Sequence, residues 1–192
     1  MKLDKPANKV VITSVLTASA LGMAVPSTLM ETANAESKIM ANTVANENAL
    51  ETLNKLYKHA HLGEMHNFEH ELTLNKSTRE DVRIELGSPD EEADTTNDFD
   101  KYHGSMGQAS YAFSYHKNGT ISEIRYFGTN IEREQNLGGI NAEVLNEQLG
   151  SPDKILTVPN TNEINYVYKT GDYELHFIID DSQTVNHVNL TE

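Results

Sequence analysis

The chain contains no cysteine and no tryptophan, only five prolines, and 15 Lys and Arg against 29 Asp and Glu in 192 residues. Without cysteine there is no disulfide, no thiolate metal site and no thiol for lipid attachment. The shortage of basic residues gives a formal net charge of −14. Such a surface repels phosphate backbones and anionic lipid, which argues against nucleic acid and simple membrane adsorption. No glycine-rich phosphate loop follows a strand pattern, and Gly104-Ser105-Met106-Gly107 lacks the first glycine of a nucleophile elbow. A membrane span needs about 20 apolar residues. The apolar stretch Val10–Val25 is 16 residues long and carries Thr13, Ser14, Thr17 and Ser19.

That stretch follows Lys2, Lys5 and Lys9 and precedes Ala33-Asn34-Ala35, the pattern of an export signal with a small-residue cleavage site. We expect residues 1–35 to be removed after Ala35. The remainder is then secreted, extracellular or cell-wall associated, without stable membrane insertion. Residues 36–48 are polar and small and read as a disordered linker. Residues 49–192 are left for a single domain.

A five-residue string occurs twice, Leu86-Gly87-Ser88-Pro89-Asp90 and Leu149-Gly150-Ser151-Pro152-Asp153, 63 positions apart. Each copy closes a short helix pattern, with Gly suited to the left-handed cap and Pro unable to extend the helix. Ser77 with Glu80 reads as a capping box for the first, with Val82 and Leu86 inward. Asn141 caps the second, with Leu145 and Leu149 inward. Seven of 17 positions match between 74–90 and 137–153. An earlier helix starts at Asn48, with Glu51 reaching back, and carries Leu50, Leu53, Leu56, Tyr57 and Ala60 on one stripe up to Gly63.

Strand patterns follow each copy. Phe99–His103, Ser110–His116 and Ile121–Phe127 belong to the first, with Asn118-Gly119 as the hairpin turn. Ile164–Lys169, Tyr173–Ile179 and Thr184–Leu190 belong to the second. The spacing predicts an α+β fold: a tandem repeat, about 49–130 and 131–192, of short helices followed by three antiparallel strands. The repeats form one sheet with the helices on one face, because a lone three-stranded unit with one short helix is marginal.

These elements, in this order, resemble the YjgB-like family, secreted proteins of Gram-positive bacteria without an assigned biochemical activity. The resemblance is carried by Leu56-x-x-x-Ala60-x-x-Gly63, Thr78–Asp90, Tyr111–Tyr115 with Asn118-Gly119, Ile140–Asp153, and Tyr166–Lys169 with Tyr173–Ile179. It implies a fold similar to beta-lactamase inhibitor proteins and small outer-membrane assembly lipoproteins, a helix pair on an antiparallel sheet, here in tandem. It implies no catalytic residues.

Two constellations remain as candidate sites. His66-Asn67-Phe68-Glu69-His70 spells H-x-x-E-H, which on a helix would bring two imidazoles and a general-base Glu to a zinc ion, with Glu147 as a distant third ligand. His59, His61 and Glu64 lie close by in sequence. The motif falls past Gly63, where no long helix is expected, so it reads first as a solvated linker, with weak metal binding by His66, Glu69 and His70 as the lesser reading. The acidic stretch Asp90, Glu91, Glu92, Asp94, with Asp98 and Asp100, lacks the glycine and ligand pattern of a calcium loop and reads as a solvated turn.

The second constellation is the sheet face. If helices cover Tyr111, Phe113, Tyr115, Tyr173, Leu175 and Phe177, the other side displays Ser114, His116, Glu123, Arg125, Glu174 and His176. The face reads equally as a solvated surface without a partner or as a binding surface. On the latter reading the expectation is a non-enzymatic, cofactor-free protein-binding module that inhibits or escorts an unknown extracellular or cell-wall protein. The alternative is a small metal-dependent hydrolase or a metal-binding envelope protein built on His66, Glu69 and His70.

Overall fold

The structure, a computed structural model, describes residues 47–68, 70–95, 98–129 and 133–192. The expected export signal lies outside the described residues, as do the expected linker up to residue 46 and Glu69.

The first helix, α1, covers residues 47–60. Ala49, Leu53, Leu56 and Ala60 are buried along one stripe. Asn48 lies inside α1 rather than capping it, and its Nδ2 donates to Gln135 Oε1 at 3.0 Å. Glu51 pairs forward with Lys55 at 2.8 Å instead of reaching back. The chain turns at Gly63 with φ +73°, and a Cβ there would meet the Tyr173 ring at 2.4 Å, so no side chain fits.

Helix α2 spans Arg79–Leu86, and its capping box is Thr78 with Asp81, one residue later than Ser77 with Glu80. The Thr78 N–H donates to Asp81 Oδ2 at 2.7 Å, and the Asp81 N–H donates to Thr78 Oγ1 at 3.3 Å. Ser77 is engaged elsewhere: its hydroxyl accepts from the Thr73 N–H and its carbonyl from the Ile121 N–H. Helix α3 spans Ala142–Leu149, with Asn141 accepting from the Val144 N–H at 2.9 Å as expected. Val82 and Leu145 are the buried residues of the two short helices, and Leu86 and Leu149 pack against the core.

The strands are β1 (Asp100–Tyr102), β2 (Ala109–Tyr115), β3 (Ile121–Thr129), β4 (Lys154–Thr157), β5 (Ile164–Thr170), β6 (Tyr173–Ile179) and β7 (Val185–Thr191). They form one antiparallel sheet in the order β1-β2-β3-β7-β6-β5-β4. Two meanders therefore meet where β3 pairs β7, through Ile124–Leu190, Arg125–Asn189 and Tyr126–Val188. One hydrophobic cluster joins Leu53, Leu56, Val82 and Leu145 from the three helices to Phe113, Ile124, Leu175, Phe177, Val188 and Leu190 from the sheet. We call the side of the sheet in this cluster the core face.

Both Leu-Gly-Ser-Pro-Asp strings end their helices in the same way. Gly87 (φ 84°) and Gly150 (φ 82°) take positive φ, and their N–H groups donate to Arg83 O and Asn146 O. Asp90 Oδ2 accepts from the His103 N–H at 2.7 Å, and Asp153 Oδ2 accepts from the Lys169 N–H at 2.8 Å. Tyr102 meets Phe113 edge-on at 5.7 Å and 88°, and Tyr168 meets Phe177 at 5.7 Å and 85°.

Among the described residues the strand count differs between the halves: three follow α2, but four follow α3. The strand absent from the sequence expectation is β4, which pairs β5 from Lys154–Val167 to Thr157–Ile164. The matching place in the first half is one bridge, Glu91–Lys101, which goes no further because Asp100 Oδ1 takes the Ala93 N–H at 2.8 Å.

Candidate functional site

Strand alternation sends Lys101, Ala112, Arg125, Asn189, His176, Val167 and Lys154 to the face opposite the core. Each is the direct cross-strand partner of the next, so they make one row across all seven strands. The row sets three polar residues, Arg125, Asn189 and His176, at its centre, an apolar residue on either side, Ala112 and Val167, and a lysine at each end. Ala112 at 2% exposure and Val167 at 0% form a dry floor beside the stems of Lys101, Arg125, His176 and Lys154.

The polar members are held in place. Arg125 Nε donates to Glu123 Oε1 at 2.8 Å, and its guanidinium lies 4.0 Å from the Phe99 ring centre. Lys154 Nζ meets Glu174 Oε1 at 2.8 Å, and Glu174 Oε2 lies 3.6 Å from His176 Nε2. The His176 ring also contacts Asn165 Nδ2 at 3.0 Å and Thr191 Oγ1 at 3.2 Å, and burial lowers its pKa. Ser114 is buried and its Oγ lies 2.7 Å from Ser122 Oγ. Of the six expected residues, the structure thus gathers Ser114, Glu123, Arg125, Glu174 and His176 on one face.

His116 does not join them. It follows β2, past an irregularity in register between Ser114 and Tyr115, and its Nε2 lies 2.8 Å from Asn75 Oδ1. There it lines a cleft of about 360 Å³ with Arg79, Tyr115 and Lys117.

Sequence reading missed Lys101, Asn165, Asn189 and His187 on the same face. The oxygens Asn165 Oδ1 and Asn189 Oδ1 are buried without a hydrogen-bond partner among the described residues. His187 stacks beside Phe127 at 5.4 Å, and burial takes its pKa down to about 4. The alternation in Val185–Thr191 marks these side chains as pointing away from the core, but which outward residues would contact each other depends on register.

The acidic stretch is exposed at Glu91 and Glu92, as expected of a solvated turn, but both also carry ion pairs. Glu91 meets Lys101 at 2.6 Å and His103 at 3.4 Å, and the hydrogen bond from Lys101 lowers its pKa. Glu92 pairs with Arg83 and lies 3.7 Å from Arg79. Asp100 is fully buried on the core face, with Arg79 Nε 3.2 Å from its Oδ2. Arg79 also lies over the Tyr115 ring at 4.7 Å. Burial pushes Tyr102 up to about 12 and raises Tyr115 as well, and the Asp100 charge adds to both.

The H-x-x-E-H segment is not helical at its described positions. His66 is 4% exposed, edge-on to Tyr126 at 4.8 Å, and burial takes its pKa down to about 4. His70 is exposed, with Nδ1 2.7 Å from Glu85 Oε2. His59 lies 3.7 Å from Glu64, His61 packs edge-on against Tyr57, and Glu147 is exposed on α3. The rings of His66 and His70 therefore sit in different surroundings. Among the described residues, no three potential ligands converge on a metal position.

A mixed helix-and-sheet fold with one antiparallel seven-stranded sheet and a polar row across the face opposite the core is the class that fold and site define. The chain belongs to the DUF4309 family, described as a domain of unknown function, whose family model matches residues 53–191. It is 52% identical over 161 residues to the uncharacterized protein YjgB of Bacillus subtilis (strain 168), covering 82% of this chain and 84% of that one. The crystal structure of that DUF4309 protein is similar with a TM-score of 0.73 at 54% identity, covering 76% of this chain and 98% of that chain.

Proposed function

We propose that this is a secreted, non-enzymatic protein-binding module whose open sheet face meets an extracellular or cell-wall protein, which it inhibits or escorts. In this reading the molecule is one domain of two copies of a single unit, about 49–130 and 131–192, with all helices over the core face. The matched caps at Gly87 and Gly150 support the duplication, as do the matched strand contacts of Asp90 and Asp153. The export pattern of residues 1–35 supports secretion.

The observation that carries the reading is the unbroken row from Lys101 to Lys154, with the buried oxygens of Asn189, within it, and Asn165, next to it, lacking a hydrogen-bond partner among the described residues. Fixed polar groups over a dry floor give orientation and specificity to an interface. The test uses the exported protein as bait against cross-linked proteins of the host's medium and wall. A reproducible partner is expected, captured by the parent and lost by Lys101→Ala/Arg125→Ala/His176→Ala with its circular dichroism unchanged. No reproducible capture, or capture indifferent to the triple change, would end the idea.

A further inference from the structure

We propose that the β4 edge receives an extended, basic segment of another protein as an added antiparallel strand. This rests on the reading that the chain binds protein, and it assigns the contact to a different surface from the open face. All four residues of β4 are exposed, with Ile155 at 60% and Leu156 at 47%, and Ile164 of β5 beside them at 36%. The Val158 N–H donates to Glu163 O at 3.0 Å. By the alternation of an antiparallel ladder, Lys154 and Leu156 then also turn their peptide groups toward β5, and Ile155 and Thr157 turn theirs outward. An apolar edge with outward-facing peptide groups is a template for strand addition.

The opposite edge is closed. Glu91 bridges Lys101 there, Asp100 caps the Ala93 N–H, and Glu92 is drawn onto Arg79 and Arg83. On β4 the single charge, Lys154, is drawn aside to Glu174 at 2.8 Å. Among the described residues the edge is therefore neither blocked nor charged at its centre.

Charge selects the occupant. A second copy would bring −14 against −14 over a four-residue strand, a poor basis for a stable dimer. The far end of the edge is acidic: Glu163, Asp180 and Asp181 line a cleft of about 540 Å³ past Thr157, whereas at the near end Asp153 lies between Lys154 and Lys169. A strand with apolar residues at alternate central positions and lysines or arginines where it reaches that cleft matches both features.

The probe is a fluorescently labelled peptide, Lys-Lys-Val-Thr-Val-Thr-Val-Lys-Lys, titrated against the full exported chain by anisotropy. Saturable binding is expected, weakened roughly tenfold or more when the peptide's valine amides or its threonine amides are N-methylated, whichever set faces β4. Methylation leaves the protein untouched, so this arm does not depend on a variant folding. Thr157→Pro, which removes one outward N–H, should weaken binding similarly, and the open-face triple variant should bind as the parent does. The proposal is overturned if neither methylated peptide is weakened, or if a glutamate-ended peptide binds equally. It is also overturned by a concentration-dependent dimer that Thr157→Pro dissolves, because a second copy would then be the occupant. Peptide binding lost only in the open-face triple variant would sink this inference and leave the open-face reading standing.

Discussion

The two halves of the sheet begin with the same helix ending and then solve the next problem in opposite ways. After Asp153 the chain runs on into β4, and the first strand beyond it contributes Tyr166 and Tyr168 to the core side. After Asp90 the chain makes one bridge and stops, because the first strand there carries Asp100 where β5 carries Tyr166. The carboxylate draws in Arg79, and the α3 residue in the corresponding place is Ala142. One half thus closes its edge with a buried carboxylate held by a half-buried arginine, and the other keeps its interior apolar and leaves its edge open. A single acid at one strand position separates a finished border from an extendable one.

Exchanging those solutions tests the comparison most severely. Arg79→Ala leaves the fully buried Asp100 carboxylate without the cation 3.2 Å away and should cost about 3 kcal/mol in urea denaturation, the scale for stranding a buried charge. Arg79→Ala/Asp100→Tyr imports the apolar arrangement of the second half and should recover most of that loss. An equal loss in the double variant would show that the two places are not interchangeable.

Acid should sharpen a second contrast, between the two faces. His66 on the core side and His187 on the open face are both held neutral by burial, with pKa values taken down from 6.5 to about 4. The unfolded chain takes up these protons near pH 6.5, so their contribution is fully present above that pH. It is lost as pH falls to about 4, by up to roughly 3 kcal/mol each. Urea midpoints measured from pH 7 to pH 4 should fall, and His66→Phe and His187→Phe should each flatten the curve. A curve unchanged by either substitution would show that those rings are accessible to water.

The smallest effect concerns the caps. Thr78→Ala and Asn141→Ala should each cost about 1 kcal/mol, because each removes the oxygen that accepts from the first turn of its helix. Thr78 also holds Asp81, so its loss should be the larger of the two in thermal melts.

Local chemistry made much of this architecture readable in advance. The Gly87 and Gly150 endings, the Asn141 cap, the Asn118-Gly119 turn and the inward Phe113 and Phe177 follow from rules acting over a few residues. What escaped notice depends on partners distant in the chain. Thr78 displaces Ser77 as cap because Ser77 is taken by Thr73 and Ile121. Asp100 looks like a turn acid until Arg79, 21 positions earlier, is seen beside it. β4 is too short and too exposed to carry an alternating pattern, and His116 leaves the open face through a register shift that no periodicity announces.

The placement of β7 governs assembly. The last of the seven strands in the chain sits in the middle of the sheet, hydrogen-bonded to β3 on one side and β6 on the other. Until residues 185–191 have emerged, the first meander has no neighbour and the interior stays incomplete. A polypeptide delivered amino-end first therefore cannot complete this sheet until β7 has arrived. Closure then comes in one late step that welds the halves together.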